Sequence, residues 1–421
     1  MTGNSNKLRL SNARVVMPER VAESAPVIVD DGIITSISDE AAGAADETAR
    51  DTDLSGLTLF PGFIDVHIHG AVGVDTMEAD VDDLQRVSTF LAQNGVTAWL
   101  PTLVPARQNE YGQAVRSIGE CVSHLAGDEA ASEYRLQSGT SSAQNSPTEV
   151  GTLTPVAQIL GVHYEGPFVN SEQCGALHRE HFRKFRDPED LNSLPVIEHG
   201  DAIHMMTLAP EVEGGIELIK ELTKRKWICS IGHTKASADI LEEAFAAGAR
   251  HMTHFMNAMT PLHHRSLGAV GWGMIHDDVT CDLIADGIHI NREILKLIVH
   301  NKTSNKVSLI SDAIAAAGCG DGDYQIWGET IQVRNGRTQN AGGSIAGSVI
   351  TMLDAMRMML SLGFSEPDVA TMASLNPARL LGIDADCGSI QIGKRADLVA
   401  LDRDGKIRMT LIGGQVAYDA R

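Results

Sequence analysis

The sequence contains no apolar run approaching the ~20 residues that a bilayer-spanning helix needs, so no membrane span is expected. Its first residues, MTGNSNKLRLSNARVV, lack the apolar core of a signal peptide. Basic residues are in short supply: Lys and Arg number 34 against 55 Asp and Glu, a formal net charge of −21. A bulk field of that sign argues against nucleic acid or anionic membrane as a partner, and any anionic ligand would need dedicated local cations. Six cysteines are scattered as Cys121, Cys174, Cys229, Cys281, Cys319 and Cys387, with no CxxC pair. That argues against a disulfide framework and for reduced, mostly buried thiols. No GxGxxG follows the first strand-like run and no GxxxxGK[ST] occurs anywhere, which weakens a nucleotide-binding reading. These absences together lead to the expectation of a soluble, cytoplasmic protein.

What is present is a large apolar supply, 43% of 421 residues, enough for one large α/β barrel and a minor domain. Short β-rich runs broken by Gly or Asp-Gly occupy the first 60 residues, and the same texture returns near the C-terminus. Residues 1–60 and 385–421 are therefore expected to form one small β-sandwich domain from both ends of the chain. Between them, over 61–384, eight apolar runs suit strands: 63–69, 96–103, 159–166, 202–210, 227–233, 251–258, 280–289 and 307–313. Intervening segments such as DVDDLQRVSTFLAQNG and SADILEEAFAAGA have helical period. Near-continuous apolar strands joined by helices predict a parallel (β/α)8 barrel, with a doubly wound sheet as the rival. Residues 126–152, polar and rich in Ser, Thr and Gly, are expected to be a mobile surface insertion.

Residues capable of chemistry gather at the ends of these runs. His67 and His69, two apart, share one strand face. Alone, such a pair is as consistent with two ordinary histidines as with ligands. The other run ends change that: Glu165 in HYEGPF, His233 in SIGHT, His254 in THFMNAM, His289 in ADGIH and Asp312 in LISDA. Ionisable groups at the ends of apolar strands are costly to bury unless paired or bound to metal. In a barrel these ends converge, and imidazole with carboxylate suits Zn²⁺ or a similar divalent ion.

PGFIDVHIHG, HYEGPF, GHTKA, THFMNAM, ADGIH, SDA, SLNPARLLGI and GSIQIGKRADLVALD, in this order, resemble the amidohydrolase superfamily. Within it they are most similar to the N-acetylglucosamine-6-phosphate deacetylase family, over nearly the whole chain except 126–152. The resemblance implies Glu165, His233 and His254 as metal ligands, with His67 and His69 able to hold a second ion. The metal would be zinc, with iron, cobalt or manganese as alternatives. Asp312 matches the catalytic acid/base. Asn257, the backbone of Ala258, Arg265, His289, the segment Ile345-Ala346-Gly347 and Ala176 match substrate-binding positions. Arg265 would reach the phosphate of an amino-sugar phosphate across a homodimer interface. One departure stands out. Where the family has a histidine shortly after EGPF, this chain has Leu177, and His178 follows one residue later as its candidate replacement. The galactosamine isomer and other N-acyl amides remain alternative substrates. A carboxylated-lysine hydrolase is disfavoured, because AIHMMTLAP in the fourth run carries no lysine.

Overall fold

The structure, a computed structural model, describes residues 7–38, 49–122 and 154–421. The expected insertion at 126–152 lies outside the described residues, whereas every site residue named above lies within them. Eight parallel strands follow one another around a barrel: Phe63–Ile68, Val96–Leu103, Gly161–Glu165, Ile203–Leu208, Ile228–Ile231, His251–Met252, Thr280–Ile284 and Val307–Ile310. Each pairs in parallel with the next. The first and last strands meet through bonds around their ends rather than a regular ladder. Asp312 N donates to His67 O at 2.9 Å and His69 N to Ala313 O at 2.8 Å. Ile64, Leu100, Met205, Ile284 and Ile310, from five different strands, share one apolar cluster, as the packed interior of a barrel requires.

Helices cover the outside. Val81–Gln93 begins at an Asp80–Asp83 capping box and buries Leu84, Val87 and Leu91. Gly215–Lys224 and Ala238–Ala247 follow strands four and five as their periodicity predicts. The third connection differs: among the described residues it runs through short 3₁₀ turns, including Ser171–Gln173 and Arg179–His181, in place of a regular helix. Among the described residues, no helix is long and apolar enough to cross a membrane.

Both ends of the chain build the sandwich. One sheet has four strands, with Leu8–Ser11 between Val27–Asp30 and Arg50–Asp53. The other has six, in which Thr58–Pro61 pairs with Leu398–Leu401 and so joins the two termini. Leu10, Val27 and Ile34 of the first sheet pack against Val15, Leu398 and Leu411 of the second.

The sequence patterning did not single out residues 322–339, which form an antiparallel three-stranded meander: Gly322–Ile326, Glu329–Arg334 and Arg337–Gln339. The signal was there. Trp327-Gly328 and Asn335-Gly336 stand between alternating runs, and all four residues have φ of +51° to +75°, as tight hairpin turns need.

Candidate active site

The carboxyl ends of the strands deliver the ionisable residues to one buried place. His67 lies in the first strand and His69 one residue past it, while Glu165 is the last residue of the third. His233, His254 and Asp312 stand two residues beyond their strands, His254 in a turn rather than in the extended strand its apolar run predicts. All three have left-handed φ, +47°, +33° and +49°. Such backbone is costly for a non-glycine residue and persists where surrounding structure over-determines it, most often at functional sites.

Two ligand groups result, His67–His69–Glu165 and Glu165–His233–His254, all five residues buried. In the second, Glu165 Oε1 is 2.8 Å from His233 Nε2 and 3.0 Å from His254 Nε2, and the two imidazole nitrogens are 3.1 Å apart. In the first, His67 Nε2 and His69 Nε2 are 3.1 Å apart, and His69 Nε2 is 3.3 Å from Glu165 Oε2. Ligands at 2.0–2.1 Å from a tetrahedral zinc would be separated by roughly 3.3 Å, so both groups fit a divalent ion. Asp312 Oδ1 stands 3.4 Å from His67 Nε2 and 3.3 Å from His69 Nε2.

The tautomers also fit. His233 Nδ1 lies 2.7 Å from Gln173 O and His69 Nδ1 lies 3.3 Å from Thr102 O, so each ring donates from Nδ1 and turns the Nε2 lone pair inward. The electrostatics favour positive charge. Burial opposes protonation of His69, yet Asp312 and Glu165 push it up to about 10. Burial would raise Glu165, but hydrogen bonds from His233, His254 and His69 hold it well below the usual carboxylate range. Asp312 is likewise held far down, by His67 and His69 against burial.

A polar layer missed by the sequence reading supports these ligands. Asp65, fully buried, accepts from Ser311 Oγ at 2.5 Å and ties the first strand to the chain beyond the eighth. His163 Nε2 is 2.8 Å from Thr207 Oγ1, which is 2.7 Å from Thr253 Oγ1, the residue before His254. The spacing DxHxH carried a signal for Asp65. Nothing local distinguishes Thr207 from an ordinary strand threonine.

The remaining sequence-predicted residues fall in two sets. Gly347 joins the site: its φ is +57°, and a Cβ there would meet Ile314 Cγ2 at 2.6 Å and Asp312 O at 2.9 Å, so only glycine fits beside the acid. Thr338 Oγ1 in the meander donates to Gly347 O, and Ala346 N donates back to Thr338 Oγ1; Ile345 precedes them half-buried. Asn257 Nδ2 donates to His254 O, and Ala258, with φ +51°, accepts from Thr234 N. The others are engaged elsewhere or exposed. His289 Nδ1 pairs with Asp286 Oδ2 at 2.6 Å. Arg265 is exposed, and its guanidinium has no ion-pair partner among the described residues. Ala176 and Leu177 belong to the loop whose Gln173 holds His233; Leu177 is buried against Val104 and Val169. His178 Nε2 faces Glu329 Oε1 of the meander at 3.2 Å.

A parallel barrel that collects four histidines and two carboxylates at the carboxyl ends of its strands defines the class of barrel hydrolases built around divalent metal. Residues 58–417 match the amidohydrolase family, and the chain belongs to that family. It is 34% identical to the N-acetylglucosamine-6-phosphate deacetylase of Bacillus subtilis (strain 168) over 419 residues, 98% of each chain. It is also 34% identical to the N-acetylgalactosamine-6-phosphate deacetylase of Escherichia coli O157:H7, over 92% of this chain and 93% of that one. The crystal structure of N-acetylglucosamine-6-phosphate deacetylase from Pasteurella multocida matches it with a TM-score of 0.83 at 27% identity, covering 97% of this chain and 99% of the other.

Proposed function

We propose that this chain removes the N-acetyl group of N-acetyl-D-glucosamine 6-phosphate, giving D-glucosamine 6-phosphate and acetate. The observation that carries this reading is the pair of ligand groups sharing Glu165, with Asp312 against one of them, in a chain so similar to deacetylases of that substrate. Glu165, His233 and His254 would hold one divalent ion, and His67 and His69 a second beside it; zinc suits the donor set best. A bound ion supplies a lower pKa for its water, from ~15.7 toward ~7.

The chain's own residues do the rest. Asp312, held ionised, takes a proton from the attacking water as its oxygen adds to the acyl carbon. Asp312 then passes that proton to the nitrogen as the C–N bond breaks. Asn257, the Ala258 backbone, His289 and the 345–347 segment bind the sugar, with Ala176 and His178 on the rim. Arg265, exposed in a chain of net charge −21, supplies the planar cation that a phosphate needs, in the neighbouring site of a homodimer. The enzyme would work in the cytoplasm, where such sugar phosphates are handled.

The test is a hydrolysis panel of N-acetylglucosamine 6-phosphate, its galactosamine isomer, the unphosphorylated sugar and an N-acetyl amino acid. The first should lead. The galactosamine isomer is the second reading, since its E. coli deacetylase is equally identical to this chain. Arg265→Ala should raise KM for the phosphorylated sugar and leave the unphosphorylated one almost unchanged. Equal effects on both would make Arg265 structural, and a strict monomer by light scattering would exclude the shared site.

A further inference from the structure

Trp327 has no part in the reaction as proposed, yet it stands at the metal ligands. It occupies the first turn of the meander, and its indole is edge-on to His69 with ring centroids 5.3 Å apart. Its Nε1 is buried and has no hydrogen-bond partner among the described residues. The indole also packs on the apolar cluster of Val104, Val169 and Leu177. Beside it lies a cavity of about 420 Å³ whose walls combine apolar Met77, Val104, Pro105, Leu177 and Trp327 itself with charged or polar Glu78, Arg107, Glu110, His178 and His181. None of the five ligand residues lines that cavity. The indole is therefore a partition between His69 and this space, which is apolar where Val104 and Leu177 meet the indole and wide enough for a short alkyl chain.

The direction of the substrate follows from the same layout. The residues assigned to the body of the sugar leave the barrel after strands six, seven and eight, and those on its rim, Ala176 and His178, follow strand three. The acyl group lies across the scissile C–N bond from the sugar, so it points toward strands one and three, where His69, Trp327 and the Leu177 loop stand. We propose that the Trp327 indole, backed by Leu177, is the wall that limits the length of the N-acyl group, and that the cavity beside it receives a longer acyl chain once the indole is removed. This rests on the deacetylase reading. It also gives Leu177 a purpose: a polar imidazole at that position would face an apolar wall.

The experiment compares N-acetyl-, N-propionyl- and N-butyryl-glucosamine 6-phosphate as substrates of the metal-loaded wild type, Trp327→Ala, and Trp327→Ala with Val104→Phe. Trp327→Ala should raise the butyryl-to-acetyl ratio of kcat/KM at least ~10-fold, the scale on which an apolar pocket discriminates by methylenes. Refilling the cavity with Val104→Phe should return the ratio to that of the wild type. An unchanged ratio in Trp327→Ala, or a gain that survives the refilling, overturns the proposal. Trp327→Leu replaces the alanine variant if that fails to fold. Should the wild type hydrolyse none of the three, the functional reading fails, and the wall is then tested by calorimetry with acyl hydroxamates of two to six carbons. Trp327→Ala must then favour the longer hydroxamates relative to wild type; the same chain-length profile in both proteins overturns the wall.

Discussion

The two ligand groups share Glu165 but are built differently. His67 and His69 ride on a regular strand, whose alternation turns both rings the same way. His233 and His254 stand in left-handed turns past strands five and six, held by outside contacts such as Gln173 O on His233 Nδ1. The turn-built group is the tighter, with all three ligand atoms within 3.1 Å of one another. In the strand-built group His67 Nε2 is 3.8 Å from Glu165 Oε1, and both histidines also face Asp312. Backbone strain thus accompanies the group with the closest ligand geometry, and regular strand accompanies the group shared with the acid.

Breaking what the two groups have in common should have the largest effect. Glu165→Ala removes the shared carboxylate, so elemental analysis should find both ions lost and turnover down by more than the ~10⁴-fold that a single acid/base contributes. A variant that keeps its metal and its rate would dissolve the shared-ligand picture. Asp312→Asn comes next: metal content and melting temperature should hold while kcat falls by about 10²–10⁴-fold. Wild-type turnover there would remove Asp312 from the chemistry.

His67→Gln sharpens the comparison itself. It should leave about one ion on the turn-built group and cost roughly 10–100-fold in activity, the scale of a perturbed ligand shell. Complete metal loss would make the strand-built group the primary one. The smallest effect is expected of His178→Ala. Its Nε2 faces Glu329 across a partly exposed pair, an arrangement worth little to stability. A fall in kcat below ~10-fold is expected, whereas a loss of ~10²–10³-fold with unchanged KM would mark His178 as the donor to the acyl oxygen.

Which parts could be read in advance follows from range. The eight apolar runs all contain barrel strands, because buried parallel strands leave a local signature in four to eight residues. The helix at Val81–Gln93 was equally legible, since its cap and its apolar stripe lie within its own turns. The helix missing from the third connection was not legible, because whether loop or helix spans strands three and four depends on what packs there. The meander over the site was passed over although its turns are local signals; its contact with His69 is not local at all.

By itself the sequence determined the chemistry available at the strand ends: imidazole at His67, His69, His233 and His254, carboxylate at Glu165 and Asp312. It did so because residue type and strand period are properties of a few neighbouring positions. Only the tertiary structure decided that these groups meet, that Asp65 holds Ser311 across 246 residues of chain, and that Leu177 turns to an apolar wall while His178 turns to Glu329. The physical reason is direction. Past a strand end a side chain points where φ and ψ send it, and left-handed values at His233, His254 and Asp312 are sustained by contacts from distant parts of the barrel rather than by their own neighbours.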